Sequence, residues 1–256
     1  SGSGRVSVLL DDMFLRKLSN LKLITRRVRT GQVAGERRST RRGISVEFAD
    51  YRDYTHGDDL RRVDWNIYAR LERPYVRLFE EEEDLAVHVL LDGSGSMDWG
   101  AGEENKWLCA RRLAAALGYI ALAGGDRLTA AAICRPQPAT FGPVRGQVST
   151  LRLFEWLETL KAGGTTDLNA ALRACALSGG RAGLTILISD MFSPPGFADG
   201  LTALAASGHE IAIIHVLASD EIDPPLGGDL RLLDVEGGAP QEVTVDAGVL
   251  ALYRRR

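Results

Sequence analysis

A chain of 256 residues with 45% hydrophobic content is long enough to bury a full core, as one large domain or as a domain with an appendage. Its formal net charge of −3 argues against a general polyanion binder, although the charges are unevenly spread along the chain. Cys109, Cys134 and Cys175 are odd in number and far apart, which suits reduced core thiols better than disulfides or a zinc cluster and points to the cytoplasm.

Residues 11–29 place Phe14, Leu15, Leu18, Leu21 and Leu23 near one side of a helical wheel behind Asp11 and Asp12, predicting an amphipathic first helix. From 31 to 44 the periodicity disappears and Arg37, Arg38, Arg41 and Arg42 accumulate. These arginines could meet nucleic acid or an acidic protein face, but no aromatic residue interleaves them to stack on bases, so a solvated arm is expected. Segment 46–68 mixes Phe48, Tyr51, Tyr54, Trp65 and Tyr68 with charges, and Asp58, Asp59, Arg61, Arg62 and Asp64 are expected to form an ion-pair lattice around Trp65. Residues 74–79 have strand character, and the acidic run 80–84 suits a charge-protected edge or turn.

From Leu85 the pattern becomes regular. Strands are predicted at 85–91, 128–134, 184–189 and 211–217, with helices at 106–123, 151–161, 168–178 and 197–207. This alternation implies parallel pairing by right-handed crossovers, and the nearly continuous Leu, Ile and Val runs imply strands covered on both faces. One or two shorter strands follow within 229–245, and a closing helix at 246–256. The expected division is an N-terminal region at 1–84, packed as an extension on an α/β domain at 85–256. No apolar run approaches the roughly 20 residues of a membrane-spanning helix and no signal-peptide pattern opens the chain, so no direct span is expected.

Two predicted strands end in aspartate, Asp92 and Asp190, at the sheet edge where ligands of such folds sit. The first continues as Asp92-Gly-Ser94-Gly-Ser96-Met-Asp98, with oxygen-bearing side chains on alternate positions, and Ala-Gly-Gly-Thr165-Thr166-Asp167 precedes a helix and offers two more hydroxyls. A phosphate cradle would need the P-loop or dinucleotide glycine spacing, which this loop lacks; Asp98 stands where the last glycine would be. A plain turn is the bland alternative. Hydroxyls with one or two carboxylates suit a hard cation, magnesium or manganese, which takes six oxygen ligands and keeps several waters. Asp98 is expected to cap the helix that follows rather than reach this loop, and Asp167 to act as an acid at the start of its helix.

Enzyme chemistry finds little support. His56, His88, His209 and His215 show no metal-ligand spacing, and His88 and His215 fall inside strands, where a satisfied core histidine is the ordinary outcome. No nucleophile elbow is present, and an aspartyl nucleophile at Asp92 would lack its general acid, because Ser94 stands two residues on. A magnesium-dependent hydrolase or phosphatase is the first alternative, and nucleic-acid binding through the 37–42 arm is the second.

Asp92-x-Ser94-x-Ser96 with Thr166 and Asp190 resembles the metal-ion-dependent adhesion site of von Willebrand factor A domains, and the alternation from Leu85 is similar to that Rossmann-like fold. Thr166 matches the usual spacing to the helix leucine, with Thr165 as a one-residue alternative. The stretch 42–66, from Arg42-Gly-Ile-Ser-Val-Glu-Phe to Arg-Val-Asp64-Trp65-Asn66, closely resembles the hallmark of the bacterial "domain of unknown function 58" family. The resemblance implies hydroxyl ligands from Ser94, Ser96 and Thr166, Asp92 acting directly or through water, and Asp190 acting through water. With so few direct carboxylates the cation would keep positive charge for a carboxylate from another protein. The resemblance further implies an adaptor, rather than an enzyme, working alongside a MoxR-type AAA+ ATPase in assembly or maturation of a complex.

Overall fold

The computed structural model describes residues 9–25, 48–55, 63–79, 85–134, 138–178, 180–233 and 240–253. They fall in two compact units, one comprising Ser1–Val28 and Leu85–Arg256, the other Arg29–Asp84. The first helix thus groups with the α/β unit that begins at Leu85.

Helix α1 (Asp12–Leu18) is capped by Asp11, whose Oδ1 accepts from the Phe14 amide at 2.6 Å. It ends much earlier than the expected 11–29: the Ser19 hydroxyl and the Asn20 side-chain amide both donate to the Arg16 carbonyl, while the Asn20 backbone amide turns to Lys17 and leaves the helical ladder. Of the expected apolar face, Leu18 is buried, whereas Phe14 and Leu21 are exposed.

The smaller unit contains strand β1 (Phe48–Asp53), helix α2 (Trp65–Leu71) and strand β2 (Tyr75–Phe79), with β1 and β2 antiparallel. Asp64 caps α2 through bonds from the amides of Asn66 and Ile67, and the helix stops where Glu72 turns left-handed at φ 54°. Asp58, Asp59, Arg61, Arg62, the 37–42 arginines and the acidic run 80–84 lie outside the described residues.

The larger unit continues through β3 (Ala86–Asp92), α3 (Lys106–Ala123), β4 (Arg127–Ile133), β5 (Ala139–Arg145), α4 (Thr150–Thr159), α5 (Leu168–Leu177), β6 (Leu184–Ser189), α6 (Ala198–Ala206), β7 (Glu210–His215), α7 (Ser219–Ile222), β8 (Gly228–Leu232), β9 (Gln241–Val245) and α8 (Ala247–Tyr253). Five strands form one sheet in the order β5-β4-β3-β6-β7, parallel except for β5, while β8 and β9 form a separate antiparallel pair. The fold is therefore mixed α/β, with a mostly parallel central sheet flanked by helices. No element was expected at β5: its Gly142-Pro143 reads as a break, yet proline is tolerated on an edge strand, and β5 is one.

Alternation along the central strands sorts the core. Val87, Val89, Leu91, Ile186 and Ile188 pack with residues of α3 and α4, such as Ala114 and Leu153. Leu90 and Leu187 pack on the other face with Leu168 and Leu172 of α5 and Leu204 of α6. Each fully buried leucine contributes about 2 kcal/mol of hydrophobic transfer, so the middle of the sheet is held from both sides. The chain leaves β3 towards β4 on one side and reaches β6 on the other, which makes the carboxyl ends of β3 and β6 the switch point at which open α/β sheets bind ligands. Among the described residues no helix is long and apolar enough to cross a membrane. The three cysteines are free thiols, but Cys109 is exposed on α3 rather than a core residue.

Candidate functional site

The register of the sheet brings the two strand ends together. Leu91 pairs with Ile188, so Asp92 comes to lie beside Ser189, whose hydroxyl donates to Asp92 Oδ2 at 2.6 Å. The other carboxylate oxygen accepts from the Ser94 amide at 3.0 Å. Ser94 and Ser96 turn their hydroxyls towards each other at 3.0 Å, in a short 3-10 turn over Gly95–Met97.

Three backbone bonds fasten this loop to its neighbours. The Gly93 amide donates to the Ile133 carbonyl at the end of β4, the Gly95 amide to Gly164, and the Gly163 amide to Gly93. A side chain at position 93 would meet Cys134 Cβ and the Ile133 carbonyl at 3.3 Å, so glycine permits the close approach. Thr166 joins the same point: it is buried, and its hydroxyl donates to the Ile133 carbonyl at 3.1 Å, leaving its oxygen lone pairs available. Thr165 is exposed. Asp167 caps α5 through the Ala170 amide.

Asp190 departs from this group in the direction it faces. One residue beyond β6, it continues the alternation that points Ile188 at α3, and its Oδ2 lies 2.9 Å from Nζ of Lys106, the first residue of that helix. Its Oδ1 accepts from the Phe192 amide at 3.0 Å, and its carbonyl accepts from His215 Nε2. Lys106 is only 1% exposed and also donates to Glu221 Oε1 of α7 at 2.6 Å. A helix N-terminus disfavours a cation and burial disfavours it further, so these two carboxylates are what hold the ammonium in place. The residue between the site and Phe192, Met191, has φ 61°, a left-handed conformation uncommon for a non-glycine side chain.

The Asp98 side chain neither bonds the loop hydroxyls nor caps the following helix directly. It accepts from the Asn105 side-chain amide, and Asn105 is the cap of α3, accepting from the Leu108 amide at 2.9 Å. Lys106, Ser189 and Glu221 were not anticipated. The available signal was a lysine in the first turn of a helix, against the dipole.

The arrangement thus contains two differently balanced carboxylates. Asp190 has an ammonium partner. Asp92 is 1% exposed, receives two neutral hydrogen bonds, and among the described residues has no basic side chain in ion-pair contact. No group of three or more His, Cys, Asp or Glu placed to hold a metal occurs among the described residues, so a cation here would depend on Asp92 with the hydroxyls of Ser94, Ser96 and Thr166. That donor set, all oxygen and mostly neutral, is the chemistry a hard divalent ion accepts.

A mixed α/β protein with a buried, oxygen-rich edge at the carboxyl ends of its central strands is the class so defined. Within it, the chain belongs to the family described as "Protein of unknown function DUF58", which matches residues 50–255. Uncharacterized proteins of Mycobacterium bovis and Mycobacterium tuberculosis are each 31% identical to it over 240 residues, 92% of this chain and 75% of the relative. Among solved structures, the crystal structure of an aerotolerance-related membrane protein from Bacteroides fragilis, carrying multiple mutations to serines, matches at 19% identity with a TM-score of 0.43, over 67% of this chain and 87% of that one.

Proposed function

We propose that the chain is a metal-dependent protein-interaction module: a von Willebrand factor A-like domain whose adhesion site holds Mg2+, or Mn2+, through Asp92, Ser94, Ser96 and Thr166, with Asp190 acting through water. When bound, the cation supplies an electron-poor position that accepts a carboxylate oxygen from a partner protein. Asp92 contributes the negative charge, and the three hydroxyls orient without cancelling the cation. By the same resemblance the module serves as a non-enzymatic adaptor, working with a MoxR-type AAA+ ATPase in assembly or maturation of a larger complex.

The observation that carries this proposal is the buried Asp92 carboxylate, bonded by the Ser189 hydroxyl and the Ser94 amide and lacking a cationic partner among the described residues, at the root of the loop that carries the paired Ser94 and Ser96 hydroxyls. Leaving a buried carboxylate without a counter-charge is costly, and a divalent ion would remove that cost. The test is a Mn2+ titration followed by electron paramagnetic resonance, with native chain and Asp92→Ala, coupled to capture of partners from native extract with magnesium or chelator. The native chain is expected to bind Mn2+ and to capture an ATPase of the stated class only with metal present. Asp92→Ala is expected to lose both. Equal capture by both proteins in chelator would refute the proposal, and release of phosphate or another product with magnesium would favour the hydrolase instead.

A further inference from the structure

We infer that Lys106 keeps Asp190 from ligating the cation at the Asp92 site, so that Asp92 remains the only carboxylate in direct contact with it. This rests on the cation proposal above and concerns a residue outside the proposed ligand set.

Both oxygens of Asp190 are already engaged. Oδ2 faces Lys106 Nζ at 2.9 Å and Oδ1 accepts from the Phe192 amide at 3.0 Å. A hydrogen bond alone would not stop a carboxylate oxygen from meeting a metal, since it has a second lone pair. An ammonium does, because a divalent ion approaching Oδ2 would be brought against a full positive charge in a dry setting, where repulsion is weakly screened. Lys106 itself is anchored at its far side: Glu221 Oε1 accepts from it at 2.6 Å, while Glu221 Oε2 accepts from the Ala218 amide at 2.8 Å. The Phe192 ring lies 5.5 Å from Nζ. The ammonium therefore cannot swing away without leaving two carboxylates in poor surroundings. Asp92, in contrast, has only neutral donors and is free of this obstruction.

The consequence is a division of labour between the two aspartates. If Asp190 joined Asp92 at the cation, two negative charges would formally cancel a divalent ion, and an incoming carboxylate would gain little. Held by Lys106, Asp190 leaves the ion more weakly bound and more attractive to an outside acid. Lys106 acts as a positioning residue that lowers metal affinity in favour of partner affinity.

The experiment is a double-mutant cycle on the full chain, read as Mn2+ affinity by electron paramagnetic resonance. Asp190→Asn is introduced into the native chain and into Lys106→Met/Glu221→Gln, a background that removes one positive and one negative charge and so leaves net charge unaltered. The loss caused by Asp190→Asn is expected to be larger in the second background by at least about threefold, the size of coupling that contacting groups show. Lys106→Met/Glu221→Gln itself is expected to bind Mn2+ more tightly than the native chain, with lower water-proton relaxivity because a carboxylate replaces a water. A smaller ratio of the two losses overturns the inference. Should circular dichroism show the Lys106→Met/Glu221→Gln background unfolded, the native background decides by the water-proton relaxivity of bound Mn2+, since affinity alone falls on losing an outer partner as well: a rise on Asp190→Asn, from a water replacing a carboxylate, means direct ligation and overturns the inference, and an unchanged relaxivity supports it. Absence of Mn2+ binding by the native chain would instead defeat the cation proposal itself.

Discussion

Ser189 donates to Asp92 across the seam between two parallel strands, at 2.6 Å and with both residues buried. The same hydroxyl oxygen accepts from the Met191 amide at 2.8 Å, so one side chain ties the end of β3 to the left-handed residue that starts the following loop. Ser189→Ala would strip both bonds and leave a buried carboxylate oxygen and a backbone amide short of a partner. A loss of about 2–3 kcal/mol is expected, since hydrogen bonds to charged groups sit at the upper end of the usual range. Urea denaturation measures it, and an unchanged midpoint would contradict the geometry.

The helix that delivers Lys106 depends on Asn105. Its Oδ1 accepts from the Leu108 amide at 2.9 Å, and its Nδ2 donates to Asp98 Oδ1 at 3.0 Å and to the Gly100 carbonyl at 3.2 Å. Asn105→Ala should cost about 1–2 kcal/mol through the lost cap. Asn105→Asp keeps the capping oxygen but loses the donor and sets two carboxylates face to face, so it should recover only part of that stability. Full recovery in thermal melts would show that the Asp98 contact contributes nothing.

Why the sequence revealed some of this and not the rest follows from distance along the chain. Helix α3 begins and ends as the pattern predicts because its signals are local: Asn105 caps one end and Gly124 stands just past the other. Strand β6 is legible because Leu-Thr-Ile-Leu-Ile-Ser is buried throughout, which only a strand covered on both faces requires. The places of Asp92 and Thr166 were legible because one ends an apolar strand and the other stands just ahead of a helix, and backbone bonds between Gly95 and Gly164 and between Gly163 and Gly93 set their two loops side by side. Lys106 was not, because its partners lie 84 and 115 residues away, and its one local signal, a cation in the first turn of a helix, does not say which acids hold it. Ser189 was hidden in the same way, as the last letter of an apolar run.

Close approach at the opposite end of the sheet gives a third prediction. A side chain on Gly183 would place its Cβ 2.0 Å from the Ala86 carbonyl oxygen, which is backbone and cannot step aside. Gly183→Ala must therefore push apart the starts of β3 and β6, and is expected to destabilise by about 2–4 kcal/mol, in the range of severe overpacking. Because this end is remote from Asp92, Mn2+ affinity of the folded fraction should stay within about twofold of native, as expected for independent sites. Loss of binding with stability intact would reverse the assignment.

The last prediction concerns pH. His209 is buried, shares a 2.8 Å hydrogen bond through Nδ1 with the Thr185 hydroxyl, and lies with its ring 5.1 Å from that of His88. Burial first, and the neighbouring His88 second, hold it below the ordinary histidine value of 6.5. The unfolded chain then takes up the proton near 6.5 while the folded chain still resists it, so the unfolded state binds more protons in that interval and stability rises with pH there. Stability should be full above 6.5, decline as the pH falls through it, and level off once the folded histidine is also protonated. Urea midpoints measured across this range should show that slope in the native chain. His209→Asn, which cannot titrate, should flatten it, and a slope left unchanged by the substitution would assign the acid sensitivity to other groups.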